Sequence, residues 1–208
     1  MRVIVFGGSG FVGSHVADAL TAAGHETTVF DLRESPWLTD GQQMVIGDMA
    51  DLDTVAAAVR GHDAVFNFAG IADIDDSRRR PVDTVKVNVL GNANLLEACR
   101  TEGIGRYVFA SSSYVQSGAG SFYRVSKQAC ELYIEEYQRE FGVDYTILRY
   151  GTLFGRRAND RNSVHRYLRS ALKDRRIVAA GTREGPREEI PDEGAAPLAA
   201  EHPPRGSV

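Results

Sequence analysis

The sequence predicts an α/β protein built on a doubly wound parallel sheet. Strand-like and helix-like segments alternate from the first residue, which is typical of a parallel sheet covered by helices on both faces. A glycine-rich turn joins the first strand segment to the first helix segment. The chain has 208 residues, of which 43% are hydrophobic, so it can bury the core of one full domain and part of a second.

Short apolar runs bounded by turn residues predict strands at Arg2–Phe6, Glu26–Asp31, Gln43–Gly47, Ala64–Phe68, Tyr107–Ala110 and Tyr145–Arg149. Apolar residues at three- and four-residue spacing predict helices between them, at Phe11–Ala23, Leu52–Arg60, Val82–Glu102 and Phe122–Phe141. Ligands of such sheets bind beyond the carboxyl ends of the strands, so we expect functional side chains in the loops that follow strands.

The composition changes after residue 155, which predicts a domain boundary there. Residues 156–208 are expected to form a shortened remnant of a second domain, with a helix at Asn162–Lys173 and a strand at Arg176–Ala180. From Thr182 the chain is rich in Gly, Pro and Glu, and we expect residues 191–208 to be poorly ordered.

Charge and composition argue against several function classes. The net charge of -4 gives no basic surplus for binding nucleic acid or an anionic membrane. The apolar runs are too short for a signal peptide or a membrane span, so we expect a cytoplasmic protein. Cys99 and Cys130 fall in helical patterns and are expected to be reduced packing residues, and the five scattered histidines predict no metal site.

The motif Gly7-x-x-Gly10-x-x-Gly13 lies between a strand and a helix, the context in which it indicates a dinucleotide site. The first glycine permits a tight turn, the second lets the backbone approach a pyrophosphate, and the third lets the helix pack closely on the strand. The helix that begins with Phe11 and Val12 would hold the phosphates at its positive end. The alternative is a tight turn with no ligand.

Asp31 ends the second predicted strand and can accept hydrogen bonds from both ribose hydroxyls of an adenosine. A carboxylate at this position repels a 2′-phosphate, which favours NAD over NADP. Arg33, two residues further on, keeps NADP as the second possibility.

Tyr123 and Lys127 predict a proton-transfer site. They are four residues apart on one face of a predicted helix, where the ammonium can favour the phenolate and prepare it for general-base work. The run Ser111–Ser113 ends the preceding strand, so one of its hydroxyls can hydrogen-bond the same substrate oxygen. Taken alone, the Tyr–Lys pair also fits an ordinary amphipathic helix.

Up to about Gly155 the sequence resembles the extended short-chain dehydrogenase/reductases, specifically the NAD-dependent nucleotide-sugar epimerase/dehydratase family. The resemblance implies a Rossmann-type fold and rests on motifs in order: GGSGFVG at Gly7–Gly13, GDMAD at Gly47–Asp51, NFAG at Asn67–Gly70, NVLGNANLLEAC at Asn88–Cys99, ASSS at Ala110–Ser113, YRVSK at Tyr123–Lys127 and LRYGTLFG at Leu148–Gly155.

The resemblance also implies residue roles. Asp48 and Met49 would flank the adenine, and Ala69 and Gly70 would pass beside the diphosphate-ribose part of the cofactor. The full cofactor set implied is Gly7, Gly10, Phe11, Val12, Gly13, Asp31, Arg33, Asp48, Met49, Ala69, Gly70, Asn88, Tyr123 and Lys127.

For the catalytic set, the resemblance implies Ser112, Tyr123 and Lys127, with Ser112 identified by aligning Val115 with the valine that follows the family's serines. Tyr123 would take a proton from a sugar hydroxyl while the carbon gives its hydride to NAD. Lys127 would also bind the nicotinamide ribose.

Three departures qualify the resemblance. Ser113 and Tyr114 occupy the positions of the acidic pair of the 4,6-dehydratases, which disfavours dehydration. The segment from Ser112 to Tyr123 is short and glycine-rich, so we expect a reshaped substrate mouth. Members of the family continue into a carboxy-terminal domain that clamps the nucleotide-sugar; residues 181–188 resemble its beginning, and its loss would weaken substrate placement.

Two further features are assigned more ordinary roles. Arg78–Arg80 is interpreted as a solvated charge run in a loop, and Trp37 as a loop anchor rather than a residue stacked on adenine. In the family, helices corresponding to residues 82–102 and 122–141 build a homodimer interface, although core packing also explains many of their apolar residues.

The sequence thus predicts an NAD-dependent nucleotide-sugar epimerase of the 4-epimerase type. Two alternatives stay open: an NAD-binding paralogue with weak or no catalysis, and a reductase of a small carbonyl compound. The identity of the sugar is not predicted.

Overall fold

The computed structural model describes residues 1–160 and 162–175, and within them six strands form one parallel sheet. The strands are β1 (Arg2–Phe6), β2 (Glu26–Asp31), β3 (Gln42–Ile46), β4 (Ala64–Asn67), β5 (Arg106–Ser112) and β6 (Tyr145–Tyr150). Their order is β3-β2-β1-β4-β5-β6. The chain winds outward in opposite directions from β1 and β4, which opens a crevice at their carboxyl ends. The predicted doubly wound sheet is confirmed.

Helices cover both faces of this sheet. They are α1 (Phe11–Ala22), α2 (Leu52–Val59), α3 (Ile74–Arg79), α4 (Pro81–Thr84), α5 (Gly91–Glu102), α6 (Ser121–Phe141) and α7 (Ser163–Asp174). A π-helical turn, Val85–Leu90, joins α4 to α5, and a 3-10 turn, Ser113–Gln116, follows β5.

The central strand β1 contributes to a core on each face of the sheet. Ile4 and Phe6 point to the face covered by α2, α5 and α6, where Leu95 is fully buried. Val3 and Val5 point to the opposite face, which α1 covers. This two-sided burial explains the unbroken apolar run at the start of the chain.

The helix predicted at Val82–Glu102 is interrupted, which corrects the sequence prediction. Its first part is α4 and the π-helical turn, and only its second part is α5. Within the wide turn, the buried Asn88 side chain accepts a hydrogen bond from the Ile71 amide at 2.7 Å and donates to Ser126 Oγ at 2.9 Å. Single π turns in longer helices are frequent at functional sites.

The arginine run also differs from the prediction, because Arg78 and Arg79 end α3 rather than lying in a loop. Asp73 caps this short helix by accepting a hydrogen bond from the Asp76 amide at 2.8 Å. The arginines pair with carboxylates on their own helix and remain largely exposed. Their interpretation as solvated charges agrees with this environment.

The last described helix, α7, matches the helix predicted at Asn162–Lys173, and Asn162 caps it by accepting from the His165 amide at 3.0 Å. The predicted strand at Arg176–Ala180, the segment from Thr182 and the tail 191–208 lie outside the described residues. Within residues 1–160 and 162–175, none of the helices combines the length and apolar character needed to cross a bilayer.

Candidate active site

The turn between β1 and α1 is built from glycines that touch backbone on two sides. Gly7 has a φ of +75°, and a Cβ there would lie 2.6 Å from the amide nitrogen of Ala69 in the loop after β4. A Cβ on Gly13 would lie 2.3 Å from the carbonyl oxygen of Gly7. The predicted tight turn and close helix packing therefore both have a direct steric cause.

The second glycine of the motif is crowded on one side only. A Cβ on Gly10 would meet only the Gly7 carbonyl oxygen, at 3.1 Å. Gly10 caps α1 without a side-chain hydrogen bond, and the first helical bond closes with Ser14. The amides of Phe11–Gly13 precede that bond, so they are oriented to receive an anion.

Asp31 at the end of β2 is tied to this turn. Its Oδ2 accepts a hydrogen bond from the Ser9 amide at 3.1 Å, and its Oδ1 accepts from the Leu32 amide at 2.8 Å. Ser9 also donates from its hydroxyl to the Arg33 carbonyl at 3.1 Å. The structure thus brings Asp31 and the backbone of Arg33 beside the glycine turn.

The opposite wall of the crevice is the loop after β4. Gly70 has a φ of +151°, and a Cβ there would lie 2.9 Å from Asn88 Oδ1. The Asn67 side chain supports the same loop by accepting from the Ala69 amide at 3.1 Å. Ala69, Gly70 and Asn88 are therefore adjacent, and the sequence did not single out the supporting role of Asn67.

Two of the predicted adenine-flanking residues have different surroundings. Asp48 is exposed after β3, where its carboxylate accepts from the Ala50 amide at 2.9 Å. Met49 is only 5% exposed, packs in the core against Gly91, and accepts at its carbonyl from Asn94. Its place at the cofactor stays a prediction, and the side chain belongs to the core.

The three predicted catalytic side chains come together at the end of β5. The Nζ of Lys127 lies 5.9 Å from the centre of the Tyr123 ring, one helical turn away on α6. Ser112 hydrogen-bonds Tyr123 through its hydroxyl and accepts from the Tyr114 amide at 3.3 Å. Lys127 donates to the Ala110 carbonyl at 2.7 Å.

Burial is the largest influence on the pKa values of Tyr123 and Lys127. It raises the pKa of Tyr123 above its ordinary value, against a smaller lowering by the Ser112 hydrogen bond. It also lowers the pKa of Lys127. In this structure the Lys127 ammonium hydrogen-bonds the Ala110 carbonyl, and its expected effect on the pKa of the Tyr123 phenol stays a prediction.

An ion pair between the buried Glu131 and the exposed Arg149 escaped the sequence analysis. Glu131, on the same face of α6 as Lys127, is bound by Ser111 of β5 and Arg149 of β6. The continued four-residue spacing from Tyr123 through Lys127 to Glu131 was the available signal.

The chain after β6 returns to the first helix. Arg157 pairs with Asp18 of α1 at 2.7 Å, and its guanidinium lies 5.1 Å from the centre of the Trp37 ring. His15 donates from Nε2 to the Arg156 carbonyl at 2.9 Å. This segment therefore connects the end of β6 with the loop that follows β2.

Cys99 and Cys130 are buried free thiols, as expected for packing residues, and burial raises the pKa of each. Among the residues that the structure describes, no cluster of three or more His, Cys, Asp or Glu side chains is arranged to bind a metal ion.

Comparison with known proteins identifies a matching family and several related enzymes. Residues 3–190 match the NAD-dependent epimerase/dehydratase family. The chain is 29% identical over 185 residues to a putative UDP-glucose 4-epimerase of Methanocaldococcus jannaschii, covering 78% of this chain and 59% of that relative. It is 37% identical over 125 residues to a 3-beta-hydroxysteroid dehydrogenase of Mycolicibacterium neoaurum, covering 56% of this chain and 33% of that relative.

Among solved structures, the chain is similar to UDP-glucose 4-epimerase of Thermus thermophilus in complex with NAD. The TM-score is 0.76 at 34% identity, with 84% of this chain and 63% of that chain covered. The chain thus spans about three fifths of the length of these epimerases.

We expect Gly13→Ala to lower the free energy of unfolding by about 1–3 kcal/mol, since its Cβ has to displace backbone. Urea denaturation measures the change. Gly105→Ala is the matched control, because its Cβ would lie 3.5 Å from the Asp63 carbonyl oxygen, an ordinary contact. A Gly13→Ala variant as stable as Gly105→Ala would contradict the close packing.

We expect the Tyr123 phenol to ionise above pH 10.0, its ordinary value, because burial disfavours the phenolate. Subtracting the ultraviolet titration curve of Tyr123→Phe from that of the wild type isolates this phenol. Ser112→Ala should move the midpoint further up, because it removes the hydrogen bond that lowers the pKa. A midpoint below 10.0 in the wild type would contradict the assignment.

Proposed function

Because the chain belongs to the NAD-dependent epimerase/dehydratase family, we propose that it binds NAD and catalyses the 4-epimerisation of a nucleotide-sugar. The observation that carries this proposal is the convergence of Ser112, Tyr123 and Lys127 at the carboxyl end of β5. That end of the sheet also holds the glycine turn, so cofactor and proton-transfer groups would share one crevice.

The glycine turn fits a dinucleotide. The amides of Phe11–Gly13 would bind the diphosphate, and the open side of Gly10 leaves room for it. Asp31 would accept the adenosine ribose hydroxyls, which favours NAD over NADP. Ala69 and Gly70 would line the other side of the cofactor. When bound, NAD would supply the acceptor and later the donor of a hydride.

The residues of this chain would manage the proton and the orientation of the sugar. Ser112 would hydrogen-bond the reacting oxygen, and Tyr123 would accept its proton and later return it. The buried phenol needs a neighbouring cation to ionise near neutral pH. Lys127 provides this cation if its ammonium engages the phenol rather than only the Ala110 carbonyl.

Local side chains favour epimerisation over dehydration. Ser113 and Tyr114 follow the proposed catalytic hydroxyl, and neither is a carboxylic acid that could remove water from the sugar. Tyr114 instead packs edge-on to Tyr123, with ring centres 6.5 Å apart.

A second candidate is reduction of a non-nucleotide carbonyl compound, and the similarity to the steroid dehydrogenase is the observation that favours it. That similarity has the higher identity, 37%, but covers only 56% of this chain. The same Ser–Tyr–Lys group would donate rather than accept a proton, and the cofactor would be consumed.

Two assays of the purified chain test these candidates: NAD with a panel of UDP-, GDP- and dTDP-sugars, and NADH with a panel of small carbonyl compounds. We expect redox-neutral conversion of at least one sugar, and a loss of about 100-fold or more in kcat for Tyr123→Phe, which removes the proton acceptor. Tyr133→Phe, on the exposed side of the same helix, is the control. Conversion that consumes stoichiometric NADH would favour the reductase; NAD binding without turnover would contradict both candidates.

We also propose a homodimer through residues 82–102 and 122–141. Val82 is 78% and Leu132 62% exposed on the outer faces of these segments, whereas Leu95 and Leu96 are fully buried in the core. A second copy packing helix against helix would cover the exposed pair.

We expect the wild type to sediment as a dimer and Leu132→Glu to sediment as a monomer. Leu168→Glu is the control, since Leu168 is similarly exposed on α7, outside the proposed interface. A wild-type monomer at micromolar concentration, or a dimer that Leu132→Glu leaves unchanged, would exclude this interface.

Finally, we propose that residues 1–155 form the cofactor domain and that residues 156–208 contribute to substrate binding. Among the described residues the last strand ends at Tyr150, which supports the boundary. In limited trypsinolysis with NAD present, we expect the first cuts after residue 155. Early cuts between β1 and β6 would contradict this division.

A further inference from the structure

Glu131 is a buried charge that the proposed mechanism does not use. Its side chain lies on the face of α6 that carries Lys127, and the residue is only 6% exposed. The carboxylate accepts a hydrogen bond from Ser111 Oγ at 2.5 Å. It also accepts two from Arg149, at 3.1 Å from Nε and at 2.9 Å from Nη2.

These contacts join three elements beside the proposed active site. Ser111 and Arg149 are register partners on β5 and β6, and Ser111 is the immediate neighbour of Ser112. Glu131 therefore fixes the last residues of β5 relative to the helix that carries Tyr123 and Lys127.

The surroundings of Lys127 give Glu131 an electrostatic role as well. Lys127 is 5% exposed, and its Nζ lies 4.4 Å from the centre of the Phe109 ring of β5. From α6 itself, Tyr123, Cys130 and Glu131 face it; Arg149 of β6 neutralises part of the Glu131 charge.

Of these groups, Glu131 is the one that can act as an anion on Lys127 at neutral pH. Burial raises the pKa of Cys130 to about 11 and raises the pKa of Tyr123, so both are neutral there. The Glu131 carboxylate is paired with a guanidinium and opposes the lowering of the Lys127 pKa by burial.

We propose that Glu131 is a positioning residue for the Tyr123–Lys127 pair, holding Lys127 as a cation while it fixes the serine-bearing end of β5. The catalytic importance of a charged Lys127 rests on the proposed function. The charge coupling between Glu131 and Lys127 does not. Glu131 would act through Lys127 and Ser111 and would not touch the substrate.

Because Glu131 and Arg149 carry opposite charges, replacing one or the other should shift the pKa of Lys127 in opposite directions. Glu131→Gln removes the anion but keeps an oxygen that can accept from Ser111, so Lys127 should lose its proton at a lower pH. Arg149→Met removes the cation that offsets Glu131, so Lys127 should keep its proton to a higher pH. A purely structural ion pair would loosen the fold in both variants and predicts no such opposition.

The titration of Lys127 can be measured directly, because the chain contains only three lysines and Lys86 and Lys173 are exposed. Protein labelled with ¹³C at lysine Cε gives three signals, and Lys127→Arg identifies the buried one. Glu135→Gln is the matched control, since Glu135 is one turn further along α6 and exposed. The measurement uses the full chain without any sugar substrate.

We expect Glu131→Gln to lower the Lys127 midpoint by about one pH unit or more, Arg149→Met to raise it, and Glu135→Gln to leave it within a few tenths of a unit. An unchanged midpoint in Glu131→Gln, or shifts of the same sign in Glu131→Gln and Arg149→Met, would overturn the proposal. If Glu131→Gln fails to fold, the Arg149→Met variant tests the proposal alone: a raised Lys127 midpoint supports it, and an unchanged or lowered midpoint overturns it.

In an active preparation, the alkaline limb of the kcat/KM profile should move to lower pH in Glu131→Gln by the shift seen for Lys127. A preparation without turnover in which the Lys127 midpoint shifts as expected would refute the proposed function and leave the charge coupling intact.

Discussion

The structure depends on the contact between the glycine turn and the backbone around it. Gly7 and Gly13 touch each other's chain segments, and Gly7 also touches the loop at Ala69, so any side chain at these positions would separate three elements. That contact sets α1 directly above the crevice between β1 and β4. The direction of the helix amides and the width of the crevice both follow from it.

Charge at the other end of the crevice is governed by burial. Tyr123 and Lys127 lie where water is largely excluded, which disfavours the phenolate and the ammonium alike. A site that needs both charged forms has to supply compensating contacts. The Ser112 hydrogen bond is such a contact at Tyr123. At Lys127 the Ala110 carbonyl, the Phe109 ring and the Glu131 carboxylate contribute.

Much of this arrangement could be predicted from local pattern. The bounds of β1 and β2 were predicted without error, because apolar runs ending in glycine or an acidic residue mark buried parallel strands. Helix α3 was missed, since it is short and polar and is specified by the Asp73 cap rather than by apolar periodicity. The π-helical turn was missed as well, because it depends on Asn88 bridging to residues that are distant in sequence.

The sequence by itself determined the doubly wound sheet, the glycine turn and the residue types of the candidate site, because periodicity, glycine sterics and spacing along a helix are local properties of the chain. Only the tertiary structure decided what Lys127 contacts, how burial shifts the pKa of Tyr123, and that Glu131 pairs with Arg149. Those properties depend on desolvation and on partners from different strands and helices, which no local pattern encodes.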